Sequence, residues 1–141
     1  MPRRQCPDRF LHERSLLASG VRALAGVDEA GRGPMAGPVV AAAVILPAAW
    51  VLSGIPEAWA TLNDSKQLSE SQREHFFDGL TRHPEIRFAI ASVDAAVIDA
   101  INILQATHRA MNEALAGLGD DVDHALVDGR SVRSLRLPQT A

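Results

Sequence analysis

The sequence predicts an α/β fold in which helices cover a β-sheet. Apolar runs of strand length alternate with helical patterns in the order strand, strand, helix, strand, long helix, strand. This alternation is typical of sheets whose strands are joined by short connections and covered by helices. Hydrophobic residues make up 47% of the 141 residues, which is enough to bury the core of one domain.

The first half of the chain predicts a lead-in segment and two strands. Residues 1–20 are polar and punctuated by proline, and we expect an arm or a helix around Arg9–Ala18. The domain itself is expected to span residues 21–141. Leu24–Asp28 is a short apolar run that ends at a glycine-rich turn, and the β-like run Pro38–Leu46 follows it.

The second half predicts two helices and two strands. Ser69–Gln72 has the form of a capping box that opens a helix, and Pro84 ends that helix. Arg87–Val93 is an apolar, β-tolerant run, after which Asp94 is placed to cap a long helix. His124–Asp128 is a short apolar run that ends in an acid, as expected of a parallel strand whose end contributes to a site.

The long helix carries one apolar stripe. Its apolar residues recur three and four positions apart, and Gly117 and Gly119 mark its end. The stripe comprises Val97, Ile101, Leu104, Met111, Leu115 and Leu118. His108 occupies a further position of the stripe, and because no residue near it has ligand spacing, we interpret it as a packed or boundary residue.

The composition argues against several classes of protein. The most apolar segment, Val39–Leu52, contains Pro47 and is shorter than the roughly 18 to 20 apolar residues of a membrane span, so it is predicted to be a buried strand. A net charge of -3 and a pI near 5.9 argue against nucleic-acid binding through a strongly basic surface. Cys6 is the only cysteine, and the N-terminus lacks the apolar run of a secretory signal, so a cytoplasmic location is expected.

The most informative motif is Gly26–Pro34, which places two acids directly before a glycine-arginine-glycine turn. Glycine allows a phosphate to approach the backbone N–H groups, and an arginine there can bind the phosphate. Asp28 and Glu29 would point to opposite faces if the strand continued through them, so we expect the strand to end at Asp28. Asp28 and Asp128 would meet if their strands are neighbours.

A cluster of carboxylates without histidine predicts a site for hard divalent cations. Carboxylates held together repel one another unless cations neutralise them, and Mg²⁺ and Mn²⁺ prefer oxygen ligands. With two such ions, one can activate water and the other can stabilise the leaving oxygen during attack on a phosphodiester.

Two other phosphate-binding motifs fit less well. Gly26–Gly31 has the spacing of a P-loop, but Arg32 and Gly33 stand where that loop needs lysine and serine or threonine. Gly31–Ala36 fits the loose dinucleotide pattern, but Pro34 and the β-like run after it contradict the helix that this pattern must open. Two acids before a glycine turn also occur by chance at strand ends, so the motif alone leaves the site open.

Four blocks in order resemble the type 2 ribonucleases H, the ribonuclease HII family. They are Gly26–Pro34, Leu62–Leu68, Ile98–Thr107 and Ala125–Gly129. The arginine between the glycines favours HII over the related HIII enzymes. The resemblance implies a ribonuclease H-like fold, with a mixed β-sheet flanked by helices, and a catalytic domain over residues 21–141.

The resemblance also implies an activity and a set of site residues. The enzyme would cut the RNA strand of RNA-DNA hybrids, and single ribonucleotides embedded in duplex DNA, with Mn²⁺ or Mg²⁺ as cofactor, leaving a 3′-hydroxyl and a 5′-phosphate. No membrane and no obligate protein partner is predicted. The metal-binding and catalytic carboxylates would be Asp28, Glu29 and Asp128. The substrate would be bound by Gly31, Arg32 and Gly33, at the 2′-hydroxyl, and by Lys66, at a phosphate.

Other residues near these blocks receive supporting roles. Asn102 and Thr107 lie in a matching block and are interpreted as structural. Arg130, Arg133 and Arg136 form a local basic tail, which we interpret as a solvated face, with phosphate contact as the alternative.

The chain departs from the family after Asp128. The resemblance implies a further acid in a Gly-Asp context, a small-residue helix and a tyrosine, whereas this chain contains no tyrosine and no counterpart of the fourth carboxylate. We therefore expect the C-terminal part of the fold to be missing, and poor activity and stability for this chain alone. A noncatalytic remnant that binds nucleic acid or protein is the alternative, and a nucleotide-binding protein is the third interpretation.

Overall fold

The computed structural model describes residues 10–30, 37–53, 56, 59, 68–127, 135 and 137–140. The strands within these ranges are β1 (Leu24–Ala30), β2 (Val39–Ile45), β3 (Arg87–Val93), β4 (His124–Val127) and β5 (Gln139–Thr140). The helices are α1 (Leu11–Ala18), α2 (Ala48–Ser53), α3 (Glu70–Arg82), α4 (Ala95–Ile101) and α5 (Ile103–Leu118).

The strands form one mixed sheet in the order β3-β2-β1-β4-β5. β2 is antiparallel to both β1 and β3, whereas β4 is parallel to both β1 and β5. The predicted α/β class, with a mixed sheet flanked by helices, is confirmed. β1 lies at the centre of the sheet, where β2 pairs with it from Gly26 to Ala30 and β4 pairs with it from Leu24 to Val27.

One face of the sheet packs against α5. The strands contribute mostly small side chains to this face, and Ala25, Ala41 and Ala43 are completely buried there. Small side chains let the helix approach closely: a Cβ added at Gly117 would lie 2.9 Å from the Cβ of Ala89. The core therefore depends on a close fit between the helix backbone and the sheet.

The predicted single long helix is two helices, so this prediction was wrong. Asp94 caps α4, as predicted, and its Oδ1 accepts a hydrogen bond from the N–H of Val97 at 3.0 Å. Asn102 then adopts φ 74° and ψ 165° and caps α5, its Oδ1 accepting from the N–H of Gln105 at 3.0 Å. The break changes the helical phase, and Leu104, which was predicted to face the core, is 45% exposed.

The buried face of α5 confirms only part of the predicted stripe. It comprises Ala106, Thr107, Ala110, Met111, Ala114, Leu115 and Leu118. Thr107 is buried, and its Oγ1 donates a hydrogen bond to the carbonyl oxygen of Ile103 at 2.8 Å. The structural roles predicted for Asn102 and Thr107 are confirmed. His108 is half-buried, as expected of a boundary residue.

The apolar segment Val39–Leu52 was predicted to be one buried strand, and this prediction was wrong. The strand ends at Ile45, and α2 begins after Pro47, whose carbonyl oxygen accepts a hydrogen bond from the N–H of Trp50 at 3.0 Å. Proline has no N–H to donate to a ladder, which explains why the strand stops before it.

The capping box predicted for α3 is confirmed. The Oγ of Ser69 accepts a hydrogen bond from the N–H of Gln72 at 3.2 Å, and the Oε1 of Gln72 accepts one from the N–H of Ser69 at 2.9 Å. None of the helices in the described ranges combines the length and the apolar character that a bilayer crossing demands.

Candidate active site

The acids of the central motif lie within β1 rather than after it. The strand was predicted to end at Asp28, but it continues through Ala30. Asp28 is paired with Ala42 of β2, and Glu29 with Ala41. β1 continues because its antiparallel neighbour β2 pairs with it up to Ala30, a tertiary effect that the local sequence does not encode.

Asp28 and Glu29 consequently point to opposite faces of the sheet. Ala25 and Val27 are buried on the face that α5 covers, whereas Gly26 and Asp28 lie on the other face. The Oδ1 of Asp28 accepts a hydrogen bond from the backbone N–H of Glu29 at 2.8 Å, which holds the Asp28 carboxylate against the strand. The two acids share the C-terminal end of β1, not a common face.

A groove of about 610 Å³ contains Asp28 on the face turned away from α5. The residues that line it include Gly26, Ala42, Val44 and Leu126 of the sheet and His12 and Glu13 of α1. The floor is mostly apolar and the carboxylate of Asp28 stands at one end of β1. The groove is therefore an open surface on which an extended ligand could lie beside that carboxylate.

β4 is the parallel neighbour of β1 on the side opposite β2. Val127 pairs with Val27, so the two strands run in the same direction and in matching register. The condition under which Asp28 and Asp128 were expected to meet, namely that their strands are neighbours, is fulfilled by the pairing up to Val127. Asp128 is the next residue in the sequence and lies outside the described residues.

The starts of these two strands are tied together by one carboxylate. Asp123, just before β4, accepts hydrogen bonds from the backbone N–H groups of Arg22 at 3.0 Å and Ala23 at 2.9 Å. These two hydrogen bonds hold the pKa of Asp123 below its ordinary value of 3.8, and the bond from Arg22 has the larger effect. Asp123 thereby fixes the register of β4 against β1 at the end of the strands opposite the site.

Most of the other predicted site residues lie outside the described ranges. They are Gly31, Arg32, Gly33, Lys66 and Asp128, and the same holds for Arg130, Arg133 and Arg136. Within residues 10–30, 37–53 and 68–127 and the few further described positions, no three His, Cys, Asp or Glu side chains are close enough to hold a metal ion together. Asp28 and Glu29 are thus the predicted site residues whose geometry is known.

Comparison with known proteins identifies the family. The sequence model described as Ribonuclease HII matches residues 25–140. The chain belongs to the ribonuclease HII family. Ribonuclease HII of Geobacter metallireducens is 50% identical over 127 residues, which are 90% of this chain and 56% of the relative. That of Ruminiclostridium cellulolyticum is 49% identical over 116 residues, which are 82% of this chain and 42% of the relative.

The chain spans about half the length of these curated ribonuclease HII relatives. Among solved structures, the ribonuclease H2 from Pyrococcus horikoshii OT3 matches with a TM-score of 0.63 and 26% identity, covering 84% of this chain and 60% of that one. Bst-RNase HIII in complex with Mn²⁺ matches with a TM-score of 0.65 and 20% identity, and the match covers 92% of this chain and 42% of that one. The latter likeness shows the fold alone, and the ribonuclease H-like fold is confirmed.

One residue that borders the groove was missed by sequence reasoning. Glu13 of α1 is half-buried, and its Oε2 is buried with no hydrogen-bond partner among the described residues. The sequence carries no signal for this, because the proximity of α1 to the sheet is decided by packing. In the ribonuclease HII chain, the acidic side chains that line this groove are therefore those of Asp28 and Glu13, with His12 beside Glu13 on α1.

Proposed function

We propose that this chain is a metal-dependent endoribonuclease that hydrolyses the RNA strand of RNA-DNA hybrids and single ribonucleotides in duplex DNA. Membership of the ribonuclease HII family supports the reaction type. The observation that carries the proposal is the parallel register of Val27 and Val127, because it aligns the two strands that lead into Asp28 and Asp128. The composition favours a cytoplasmic setting for this activity.

The proposed metal ligands are Asp28, Glu29 and Asp128, with Mn²⁺ or Mg²⁺ as the ion. Asp28 presents its carboxylate at the groove, and Glu29 is the penultimate residue of β1, close to the strand end. Oxygen ligands without histidine or thiolate are those that Mg²⁺ and Mn²⁺ prefer. When bound, such ions lower the pKa of a water nucleophile and neutralise the charge that develops on the phosphodiester.

The proposed substrate contacts come from the glycine-rich turn and one lysine. Gly31, Arg32 and Gly33 follow β1 directly in the sequence, and we expect them to contact the 2′-hydroxyl that distinguishes RNA from DNA. Lys66 is expected to contact a backbone phosphate. Because the net charge is -3, binding would depend on these few contacts and on the metal rather than on a basic surface.

The test is a cleavage assay of the purified 141-residue protein on a DNA duplex that contains one ribonucleotide, with Mn²⁺ present. We expect cleavage on the 5′ side of the ribonucleotide, at a rate that depends on the proposed carboxylates Asp28, Glu29 and Asp128. The Asp28→Asn and Asp128→Asn variants should each lower the rate by at least about a hundredfold, since each removes a charged ligand. Asp78→Asn, on the exposed side of α3, is the matched control and should retain the wild-type rate.

Binding of Mn²⁺ is measured in parallel by isothermal titration calorimetry. Mn²⁺ binding that Asp28→Asn weakens supports the metal site even where turnover is slow. Unchanged cleavage in both aspartate variants would contradict the proposal. A protein that binds the duplex without carboxylate-dependent Mn²⁺ affinity and without cleavage would instead be the noncatalytic remnant.

A further inference from the structure

A cluster of aromatic rings joins α2 to α3. The ring of Trp59, which lies between the two helices in the sequence, is 5.8 Å from the ring of Trp50 on α2 and 5.7 Å from that of Phe76 on α3, measured between centroids. Trp50 and Phe76 are buried, and Trp59 is half-buried. Distances of this size are those of favourable aromatic pairs, so Trp59 is packed against both helices.

Gly79 of α3 provides the space for the indole ring. A Cβ added at Gly79 would overlap Cη2 of Trp59 and would lie 3.2 Å from Cζ2 and from Cζ3. The ring therefore rests directly on the backbone of the helix. It cannot swing aside without losing its contacts with Trp50 and Phe76. Glycine is disfavoured inside a helix relative to alanine, and the close approach of Trp59 explains its presence here.

Trp59 and the start of α3 fix the chain on both sides of residues 60–67. On the far side, the carbonyl oxygen of Leu68 accepts a hydrogen bond from Nη1 of Arg73 at 3.3 Å, directly before the capping box of α3. Residues 60–67 themselves lie outside the described residues and include Lys66, the proposed phosphate contact. The two flanks of this stretch are thus attached to the same helix.

The attachment of Trp59 shortens the stretch of chain that carries Lys66. Without it, this stretch would be held only at Ser53, the end of α2, and at Leu68, so that it would comprise residues 54–67 instead of 60–67. The entropic cost of fixing a stretch of chain rises with the logarithm of its length. The longer stretch would lower the affinity of Lys66 for a phosphate by about two- to threefold.

We propose that Trp59 is a positioning residue, whose packing on Gly79 holds the segment of Lys66 where this lysine meets a backbone phosphate of the duplex. Trp59 acts through the chain and contacts neither the substrate nor a reacting atom. This inference rests on the proposed function, in which Lys66 contacts the substrate.

The first test uses the fact that Lys66 is the only lysine of the chain. A lysine-specific endoprotease therefore cuts at one peptide bond, and its rate under native conditions follows the population of the locally opened segment. Gly79→Ala displaces the indole ring, and we expect cleavage about tenfold faster than in the wild type. Gly117→Ala, which overpacks α5 against Ala89 of β3, is the matched control and should be cut at close to the wild-type rate.

A rescue variant guards against a folding defect in Gly79→Ala. Trp59→Phe lacks the outer ring of the indole, to which Cη2, Cζ2 and Cζ3 belong, so it leaves room for the added methyl group. The double variant Gly79→Ala/Trp59→Phe should therefore be cut more slowly than Gly79→Ala alone. Cleavage of the double variant as fast as that of Gly79→Ala would overturn the packing of Trp59 on Gly79 as the cause.

The second test measures affinity for a DNA duplex with one ribonucleotide by fluorescence anisotropy, without divalent metal. Lys66→Ala should weaken binding and lower the slope of log affinity against log salt concentration by about 1, because one phosphate contact is lost. Gly79→Ala should weaken binding by about two- to threefold. In the Lys66→Ala background it should have no further effect, since the contact that it disturbs is already absent.

The outcomes separate this inference from the proposed function. If Lys66→Ala weakens duplex binding while Gly79→Ala binds as tightly as the wild type, the positioning role of Trp59 is refuted and the proposed contact of Lys66 stands. If Lys66→Ala binds like the wild type, the contact itself is refuted, and the positioning role with it. Equal losses from Gly79→Ala in the presence and in the absence of Lys66 would mark Trp59 as a structural residue only.

Discussion

Val27 of β1 and Val127 of β4 are register partners in a parallel ladder. They are separated by 100 residues in the sequence, and each precedes an aspartate of the proposed site. In a parallel ladder, residues at matching positions share a face, so one continued register would give Asp28 and Asp128 a common side of the sheet. The proposed metal site would then have one ligand from each of the two strands.

A shared ion predicts non-additive losses of Mn²⁺ affinity. Once Asp28→Asn has removed one ligand, Asp128→Asn should weaken binding by less than it does in the wild type, because the site is already disrupted. The measurement is a double-mutant cycle by calorimetry, and a coupling of about 1 kcal/mol or more is expected. Fully additive losses would mean that the two aspartates bind separate ions or none.

The close packing of α5 on β3 predicts opposite effects for two glycine substitutions. Gly117→Ala would bring a Cβ within 2.9 Å of the Cβ of Ala89, which cannot move aside as a long side chain can. We expect a loss of about 1 to 3 kcal/mol in the free energy of unfolding, although alanine normally favours a helix over glycine.

Gly26→Ala is the matched control for this prediction. A Cβ there meets no atom within 4 Å, so we expect the free energy of unfolding to rise by about 0.5 to 1 kcal/mol as the unfolded chain loses freedom. Urea unfolding measures both variants. A stabilised Gly117→Ala protein would contradict the close contact between α5 and Ala89 of β3.

Asn102 predicts a stability difference whose sign depends on the replacement. Its φ of 74° and ψ of 165° lie in a region that is almost exclusive to glycine and costs about 1 to 3 kcal/mol for other residues. Asn102→Gly should therefore stabilise the protein by about 1 kcal/mol, since the strain is relieved and the lost cap costs only a few tenths. Asn102→Ala keeps the strain and loses the cap, so it should destabilise by about 1 kcal/mol.

Chemical unfolding at neutral pH measures whether Asn102→Gly stabilises the protein and Asn102→Ala destabilises it. The helix content by circular dichroism should stay constant in both variants, because α4 and α5 have their own packing against the core. If Asn102→Gly were the less stable of the two, a continuous helix in place of the break would be indicated.

Asp123 predicts an acid-dependent contribution to stability. The N–H groups of Arg22 and Ala23 lower its pKa in the folded state below 3.8, so unfolding takes up a proton in the range between the two pKa values. The stabilisation is therefore fully present above the unfolded pKa and is lost as the pH falls through the lower, folded pKa. Asp123→Asn should be less stable than the wild type near neutral pH, and the difference should shrink in strong acid.

Asp120→Asn, an exposed carboxylate in the same turn, is the control for this pH series. Its unfolding curve should follow the wild type at each pH. A difference between wild type and Asp123→Asn that stays constant down to strong acid would mean that the charge on Asp123 does not contribute.

Much of the local structure was predictable because its causes are local. Ser69 and Asp94 accept hydrogen bonds from N–H groups only three residues away, and these caps appear where the sequence indicated. The break at Asn102 was not predictable in the same way. The residues on either side form a continuous apolar helical pattern, and its buried face is decided by how α5 packs on the sheet.

The sequence by itself determined the family, the order of β1, β2, α3, β3 and β4, and the acids that carry the proposed chemistry, since these depend on residue types and spacing along the chain. Only the tertiary structure decided that β1 continues through Asp28 and Glu29, so that the two acids face opposite sides. It also decided that Glu13 borders the groove of Asp28. The physical reason is that strand pairing and helix packing join residues far apart in the chain, and no local pattern records which surfaces meet.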